Sequence, residues 1–248
     1  MSQSSPLAGS ATLVTGASAG IGRETAYALA REGANVALAA RREDRLTEYA
    51  ADIEDTHGVD TLVIPTDVTD ADQVQAMIDA TVEGFGSLDV LVNNAGIGGI
   101  GPIEDASLDE YRTLMAVNCD GMFYATRAAI PHLRESKGNL IYVASFAGEY
   151  PRPGNAAYAA TKWWTRGLAY SLAGRLGEDD VAVSIVNPTE VRTEIEGSYG
   201  DPMEDVFEPG EVTEPEEIAA AIVFAARQTP PNVAAEIDLY RRDKFANF

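Results

Sequence analysis

The fold is decided by the segment Ala11-Thr-Leu-Val-Thr15, which continues as Gly16-Ala-Ser-Ala-Gly20-Ile-Gly22. The first five residues are mostly apolar or β-branched and predict a buried strand. The three glycines predict a tight turn, and the apolar spacing through Arg31 predicts a helix. A strand, a glycine turn and a helix in this order favour a phosphate-binding turn at the helix N-terminus. Because the spacing is G-x-x-x-G-x-G, a glycine turn that binds nothing is the alternative for this motif alone.

Strands and helices are predicted to alternate along the whole chain. Further strands are predicted at 34–40, 61–65, 88–92, 139–144, 181–187 and 235–239, and helices at 42–56, from 69, at 108–134, 155–176 and 214–228. This alternation predicts an α/β fold, a three-layer Rossmann fold whose doubly wound parallel sheet has about seven strands. The length of 248 residues fits one domain, 1–248. Residues 189–212 are rich in Glu, Gly and Pro and are interpreted as a substrate-binding lid.

The composition is strongly acidic. Asp and Glu total 39 against 18 Lys and Arg, so the formal net charge is −21, and lysine occurs only at positions 137, 162 and 244. Such a surface repels nucleic acid and anionic membranes, so neither is expected as a partner. The simple interpretation is an acidic solvated surface, and the sharper one is adaptation to high salt, as in salt-in halophiles.

The sequence also limits compartment and metal chemistry. It contains no uncharged apolar run of eighteen residues and no signal peptide at its start, so a cytoplasmic protein is expected. The single Cys119 excludes an internal disulfide and a cysteine-built zinc site. With only two histidines, no metal site is expected. Cys119 itself is interpreted as a small buried residue rather than a nucleophile.

The pair Tyr158 and Lys162 carries candidate chemistry. In a helix over 155–176, these residues lie four positions apart on one face. An ammonium group favours phenolate over phenol, so a tyrosine beside it can exchange a proton near neutral pH. The spacing is common in amphipathic helices and is weak evidence alone.

The end of the second predicted strand bears on cofactor choice. A fold that binds NAD usually places an acidic residue there for the ribose hydroxyls. Here Ala40 is followed by Arg41 and Arg42. Guanidinium groups bind a 2′-phosphate in bidentate fashion, so NADP(H) is the predicted cofactor. The alternative is a solvated charge pair at a helix start.

Taken together, these motifs resemble the short-chain dehydrogenase/reductase superfamily. The resemblance rests on Thr15-Gly-Ala-Ser-Ala-Gly-Ile-Gly22, Asn93-Asn-Ala-Gly96, Ser145 and Tyr158-x-x-x-Lys162, and it covers nearly the whole chain. It implies hydride exchange with a nicotinamide, and a catalytic tetrad of Asn118, Ser145, Tyr158 and Lys162. The cofactor contacts that follow are Gly16, Ser18, Gly20, Ile21, Gly22, Arg41, Arg42, Asp67, Val68, Asn94, Ala95, Gly96, Tyr158, Lys162, Pro188, Val191 and Thr193.

The resemblance also implies individual roles. Ser145 would hydrogen-bond the substrate oxygen, Tyr158 would exchange the proton, and Asn118 would hold a water. Asp67 and Val68 would contact the adenine. The stretch after the sixth strand would hold the nicotinamide, and its Pro188-Thr189 replaces the usual Pro-Gly. The family also implies a homotetramer, in which helices 108–134 and 155–176 pair across a two-fold axis.

The substrate is an alcohol or carbonyl compound whose identity stays open. The ending at 231–242 lacks the Asp-Gly-Gly of 3-oxoacyl carrier-protein reductases, and with 40–46 it resembles NADP-dependent 3-hydroxy acid and serine dehydrogenases. Arg152 is either a carboxylate ligand or a solvated loop residue. The alternatives are a reductase of small ketones, aldehydes or 3-oxoacyl substrates and, from a different class, a non-catalytic NADP-binding sensor.

Overall fold

A computed structural model describes residues 5–195 and 201–245. In these ranges the strands are β1 Ala11–Thr15, β2 Asn35–Ala40, β3 Thr61–Pro65, β4 Val90–Asn93, β5 Asn139–Val143, β6 Ala182–Pro188 and β7 Glu236–Leu239. The α-helices are α1 Gly20–Arg31, α2 Glu43–His57, α3 Ala71–Phe85, α4 Leu108–Met115, α5 Met122–Ser136, α6 Ala156–Leu176, α7 Met203–Val206 and α8 Pro215–Ala226.

The strands form one parallel sheet in the order β3-β2-β1-β4-β5-β6-β7. The chain moves outward from β1 to β3 and then returns to add β4 on the other side of β1. The strand order therefore reverses between β1 and β4, and a ligand crevice forms outside the carboxyl ends of these strands. The prediction of a doubly wound parallel sheet of about seven strands is confirmed, with strand ends displaced by one or two residues.

The alternating side chains of the strands create two separate cores. In β2, Val36 and Leu38 face the layer formed by α1, α2 and α8, whereas Ala37 and Ala39 face the layer formed by α3, α5 and α6. All four are buried on both sides of the sheet, which explains why the central strands are continuously apolar. These two layers hold the carboxyl ends of the strands in fixed positions.

The prediction of one continuous helix over 108–134 is wrong. The helix is interrupted by a π-helical turn at Ala116–Gly121, between α4 and α5. A π-turn makes wider hydrogen-bonded loops than the α-helix and occurs often at functional sites. The sequence pattern did not predict the π-helical turn, because the apolar periodicity continues on both sides of it.

The segment interpreted as a lid is described only in part, because 196–200 lie outside the described residues. Val191 forms an isolated parallel bridge with Thr213, so the two ends of the segment lie side by side. Among residues 5–195 and 201–245, no helix is both long enough and apolar enough to cross a bilayer.

Candidate active site

The glycine turn leaves no room for a side chain at its three glycines. Gly16 and Gly20 have positive φ angles of 70° and 49°. A Cβ atom on Gly22 would lie 2.2 Å from the Gly16 carbonyl oxygen, and one on Gly20 would lie 2.9 Å from Cγ2 of Thr193. The turn thus exposes bare backbone at the N-terminus of α1, and its N–H groups can approach a pyrophosphate closely. This cradle fits a dinucleotide.

Asn94 fastens the glycine turn to the end of β4. Its Nδ2 donates to the carbonyl oxygens of Thr15 at 2.9 Å and of Gly16 at 3.3 Å. Thr15 Oγ1 accepts hydrogen bonds from the backbone N–H groups of Asn94 and Ala95. The carboxyl ends of β1 and β4, on either side of the switch point, are therefore held together by hydrogen bonds where the crevice opens.

Tyr158 and Lys162 share one face of α6. The Lys162 ammonium lies 5.7 Å from the centroid of the Tyr158 ring and donates to the Val143 carbonyl at 3.1 Å. Lys162 is 5% exposed. Since an ammonium has three N–H donors, up to two remain for other partners. The hydrogen bond to Val143 ties α6 to the end of β5.

Ser145 lies just beyond β5. Its backbone is extended, and its Oγ accepts a hydrogen bond from the Ala147 N–H at 3.1 Å, which caps the short turn Phe146–Gly148. The hydroxyl thus uses an acceptor lone pair locally and keeps its own proton to donate. A Cβ on Gly148 would lie 2.8 Å from the Lys162 carbonyl oxygen, so the turn packs against α6.

Asn118 lies in the π-helical turn and is fully buried. Its Oδ1 accepts from the Ile97 N–H at 2.9 Å, and its Nδ2 donates to the Ile97 carbonyl at 3.1 Å and to Thr161 Oγ1 at 3.3 Å. These bonds join the loop after β4 to the residue beside Lys162. In this structure Asn118 is therefore a positioning residue, with one further lone pair on Oδ1 available.

The loop after β4 brings these groups together at Gly96. A Cβ on Gly96 would lie 3.5 Å from Asn118 Oδ1 and 3.9 Å from the Lys162 ammonium nitrogen. Gly96 thus leaves space between an amide, an ammonium and the phenol that the ammonium faces. A hydroxyl donor, an acid–base group and a fixed cation are what a proton transfer to a substrate oxygen requires.

The predicted cofactor arginines have different environments. Arg41 is exposed, and no hydrogen bond or ion pair found within 5–195 and 201–245 involves its side chain. Arg42 instead donates from Nε to Ser18 Oγ at 3.0 Å and pairs with Glu194 at 2.7 Å. Arg45 pairs with the same carboxylate at 2.5 Å. Ser18 and Arg42, both predicted cofactor contacts, therefore lie in contact with each other, beside two residues that the sequence analysis did not select.

The remaining predicted cofactor contacts lie around the same crevice. Asp67 and Val68 follow β3, where the Asp67 carboxylate accepts from both N and Oγ1 of Thr69. Val68 packs against the π-helical turn, since a Cβ on Gly121 would lie 2.9 Å from its Cγ2. At the end of β6, three predicted residues are buried or bridge to a neighbouring segment: Pro188, Val191 and Thr193. Ile21 lies in the first turn of α1, and Ala95 and Gly96 follow β4.

Sequence reasoning missed four residues of this region. Arg45 could have been found, because it lies in the first turn of α2, three residues after Arg42, which precedes that helix. Thr15 and Thr161 form hydrogen bonds with candidate-site residues. Small polar side chains in strands or helices give no sequence signal of such contacts. Glu194 is 149 residues from Arg45 along the chain, so no local pattern connects them.

An aromatic cluster supports the loop after Ser145. The buried Phe146 ring stacks on Tyr150 at 4.3 Å and meets Tyr240 edge-on at 5.0 Å. Arg152 and Lys244 lie 4.8 Å and 4.9 Å from the same ring centroid. The C-terminal segment thus packs on the loop that carries Ser145.

Arg152 is engaged within the protein. Its guanidinium lies 3.8 Å from the Glu190 carboxylate, which also pairs with Lys244. Burial raises the pKa of Glu190, but the hydrogen bond from Lys244, a backbone hydrogen bond and the charges of Lys244 and Arg152 outweigh it and hold the pKa below its ordinary value. Arg152 is therefore not a solvated loop residue, and a substrate carboxylate would compete with Glu190 for it.

Cys119 is buried, and its environment disfavours the thiolate. Burial and the neighbouring Asp120 raise the pKa of the thiol to about 11, against a smaller opposite effect of Lys162. Reactive cysteines have depressed pKa values, so this thiol is unsuited to be a nucleophile. Within the ranges that the structure describes, no three His, Cys, Asp or Glu residues are grouped as metal ligands.

The fold and the site together define a class: an oxidoreductase built on a dinucleotide-binding Rossmann fold, with a serine, a tyrosine and a lysine at the carboxyl end of its sheet. The sequence profile of the family described as short chain dehydrogenase matches residues 10–204. The chain therefore belongs to the short-chain dehydrogenase family.

Two relatives are 34% and 40% identical to this chain over the stretches that align. Trans-4-hydroxycyclohexanecarboxylate dehydrogenase of Sinomonas cyclohexanicum is 40% identical over 186 residues, which are 73% of this chain and 72% of that protein. Glycine betaine reductase of Emericella nidulans is 34% identical over 250 residues, 96% of this chain. This chain spans only 19% of the length of that fungal protein.

Solved structures share the fold over almost the full length. An alcohol dehydrogenase from the archaeon Thermococcus sibiricus, complexed with 5-hydroxy-NADP, has a TM-score of 0.85 and 30% identity over 93% of this chain and 95% of that chain. A short chain dehydrogenase from Burkholderia cenocepacia in complex with NADP has a TM-score of 0.84 and 30% identity over 95% and 98%.

Proposed function

We propose that this protein is an NADP(H)-dependent dehydrogenase or reductase that interconverts a hydroxyl and a carbonyl group on a small substrate. The observation that carries the proposal is the convergence of Ser145, Tyr158, Lys162 and Asn118 at the carboxyl end of the sheet, beside the glycine cradle. The intact set argues against a non-catalytic sensor, which needs a cofactor cradle but no proton-transfer group.

A bound nicotinamide would supply or accept the hydride, while the chain positions the substrate and moves the proton. The Ser145 hydroxyl donates a hydrogen bond to the substrate oxygen. Tyr158 gives its phenolic proton to that oxygen in reduction and takes it back in oxidation. Lys162 stabilises the phenolate, and its bond to the Val143 carbonyl keeps the ammonium in place. Asn118 holds the loop at Ile97 against α6 and can bind a water through its remaining lone pair.

NADP(H) is the cofactor that the adenosine end of the cleft favours. Arg41 and Arg42 provide guanidinium donors where NAD-binding folds place an acid, and Ser18 of the glycine turn adds a hydroxyl beside Arg42. The two solved structures that hold NADP or its 5-hydroxy derivative support this choice. Asp67 and Val68 would lie against the adenine, and Pro188, Val191 and Thr193 against the nicotinamide.

The substrate is proposed to be a small 3-hydroxy acid or a serine-like alcohol. The relative that acts on trans-4-hydroxycyclohexanecarboxylate supports a hydroxy acid, because its name describes an alcohol that carries a carboxylate. Arg152 is the candidate ligand for that carboxylate, in competition with Glu190. Small ketones, aldehydes and 3-oxoacyl compounds are the alternative substrates, and 189–212 is the proposed substrate-binding lid.

Turnover measurements test the function and the cofactor together. The wild type is assayed in molar KCl with 3-hydroxy acids, serine, simple alcohols and ketones, using NADP(H) and NAD(H) in parallel. Arg41→Ala is expected to lose about 1.5–3 kcal/mol of NADP binding, the range for a charged hydrogen bond. Arg134→Ala, at the opposite edge of the sheet, is the control. Equal affinity of the wild type for both cofactors would overturn the preference, and tight NADPH binding without turnover would favour the sensor.

A homotetramer in the cytoplasm is the proposed assembly. Large apolar side chains are exposed on α4, α5 and α6, the helices expected to pair across a two-fold axis: Leu108, Tyr111, Phe123, Trp163 and Tyr170. Covering them in a subunit contact would remove apolar surface from water. Light scattering at molar salt should give four times the mass of the chain, and a monomer would contradict the assembly.

A further inference from the structure

Glu194 spans the cofactor crevice and binds the arginines at its adenosine end. It follows Thr193, beyond the end of β6, yet its carboxylate contacts residues after β2. One carboxylate oxygen accepts from Arg42 at 2.7 Å and the other from Arg45 at 2.5 Å. The same two guanidinium groups donate to the Ser18 carbonyl at 3.3 Å and 3.5 Å, and Arg42 also donates to Ser18 Oγ. Two arginines thus bind one carboxylate, and both are also hydrogen-bonded to Ser18.

This set of donors matches the chemistry of a phosphate monoester. Two guanidinium groups and a hydroxyl are suited to an anion with several acceptor oxygens. Ser18 belongs to the glycine turn, and Arg42 follows β2, where the ribose of a bound dinucleotide lies. The carboxylate of Glu194 therefore occupies the donors that a ribose 2′-phosphate would use, and the two anions cannot use them at the same time.

The Glu194 carboxylate is charged, and its contacts with the arginines are exposed enough for another anion to replace it. Burial raises the pKa of Glu194, but the hydrogen bonds from Arg42 and Arg45 outweigh it and hold the pKa below its ordinary value, so the group is ionised at neutral pH. The side chains of Arg42, Arg45 and Glu194 are 43%, 36% and 39% exposed. Ion pairs with this exposure are weak and are broken readily by a better anion.

We propose that Glu194 is a specificity-determining residue that competes with the 2′-phosphate of NADP(H) for Arg42 and Arg45. It lowers the affinity for NADP(H) without affecting the affinity for NAD(H), which has no charged group at the ribose 2′ position. The inference rests on the proposed preference for NADP(H), and it states that Glu194 weakens this preference. Because salt screens both anions, the contribution of Glu194 declines at high ionic strength.

The test is equilibrium binding of NADP⁺, NAD⁺ and 2′-AMP, measured by calorimetry in 0.1 M and 1 M KCl. Glu194→Gln keeps the size of the side chain and removes its charge. Its Kd for NADP⁺ and 2′-AMP should fall about 2- to 10-fold at the lower salt, and its Kd for NAD⁺ should change less than about twofold. Glu214→Gln is the control, because Glu214 pairs with Arg192 in the neighbouring bridge and not with Arg42 or Arg45.

Three outcomes would contradict the inference or the cofactor preference on which it rests. An unchanged or weaker affinity of Glu194→Gln for NADP⁺ would overturn the inference, since the carboxylate would then be neutral or would organise the arginines. An equal gain for NAD⁺ would also overturn it, because the competition would concern the shared pyrophosphate. If the wild type binds NADP⁺ and NAD⁺ equally and does not bind 2′-AMP, the proposed cofactor preference itself fails, whatever the variant does.

Discussion

At the scale of single residues, the candidate chemistry depends on how each side chain is held. Lys162 is restrained by a backbone carbonyl, Ser145 by the N–H of its own turn, and Asn118 by both polar groups of Ile97. These bonds hold the candidate catalytic side chains in position without help from a substrate. Such pre-organisation contributes to catalysis because no reorganisation is needed during the reaction.

Tyr158→Phe tests the proton transfer. The variant keeps the ring that faces Lys162 and removes only the hydroxyl, so binding of NADPH should be nearly unchanged. Turnover should fall about 10²- to 10⁴-fold, the range for loss of a general acid–base group. Steady-state kinetics and a fluorescence titration of NADPH provide the two measurements. Tyr27→Phe, whose hydroxyl bonds Asp52 between α1 and α2, is the control. Near-normal kcat in Tyr158→Phe would show that the tyrosine does not transfer the proton.

Cys119 should be inert in the folded protein. With a pKa of about 11, only about 0.1% of the thiol is ionised at pH 8, whereas an unfolded chain has an ordinary value near ~8.5. Iodoacetamide at pH 8 should modify the protein in urea but not the native protein, as mass spectrometry would detect. The unfolded chain loses this proton first as pH rises, so stability due to the neutral thiol decreases between pH ~8.5 and about 11. Rapid labelling of the native protein would contradict the assignment.

At the scale of elements, the carboxyl ends of neighbouring parallel strands create the site. The glycine turn follows β1, the Asn94–Gly96 loop follows β4, and Ser145 follows β5. The π-helical turn adds Asn118 from the side, and α6 adds Tyr158 and Lys162. Because the strand order reverses between β1 and β4, no crossover covers this crevice, and the loops meet there.

Gly22→Ala tests the cradle. The added Cβ would lie 2.2 Å from the Gly16 carbonyl, a backbone atom that cannot move without disturbing β1. We expect a loss of about 1–3 kcal/mol in the free energy of unfolding and a strongly weakened affinity for NADPH. Chemical denaturation and a binding titration measure the two effects. Gly174→Ala, at a helical position with nothing within 4 Å, should instead gain about 0.5–1 kcal/mol. Equal stability of the two variants would mean that the turn tolerates a side chain.

At the scale of the whole molecule, the main feature is the formal net charge of −21. Many acidic groups have partners, as in the pairs of Glu32 with Arg227 and of Glu236 with Arg166, but arginine and lysine are too few to pair them all. The excess charge repels itself in the compact state. We therefore expect the stability of the fold to depend on the concentration of ions in solution.

Stability should rise with salt. The Debye length falls from ~30 Å at 0.01 M to ~3 Å at 1 M, so added KCl screens the repulsion between surface carboxylates. The Tm is expected to increase steadily from low salt to molar KCl, with partial inactivation on desalting. Calorimetric scans over that range check it. A Tm that is flat across the range would mean an ordinary acidic surface, and adaptation to high salt would then be rejected.

The sequence by itself determined the class of fold and the composition of the candidate site. Both are encoded locally, because strand and helix periodicity, the glycine spacing and the four-residue separation of Tyr158 and Lys162 depend only on near neighbours. The position of the crevice followed as well, since parallel strands all end at the same edge of the sheet.

Only the tertiary structure decided the contacts between distant segments. The carboxylate of Glu194 reaches Arg42 and Arg45 across 152 and 149 residues of sequence, and the Phe146 ring is enclosed by Tyr240 from the C-terminal segment. The π-helical turn around Asn118 also appeared only in three dimensions, where the bonds to Ile97 and Thr161 favour it. Such contacts arise because the sheet brings remote loops to one edge, and no local pattern encodes which of their side chains will meet.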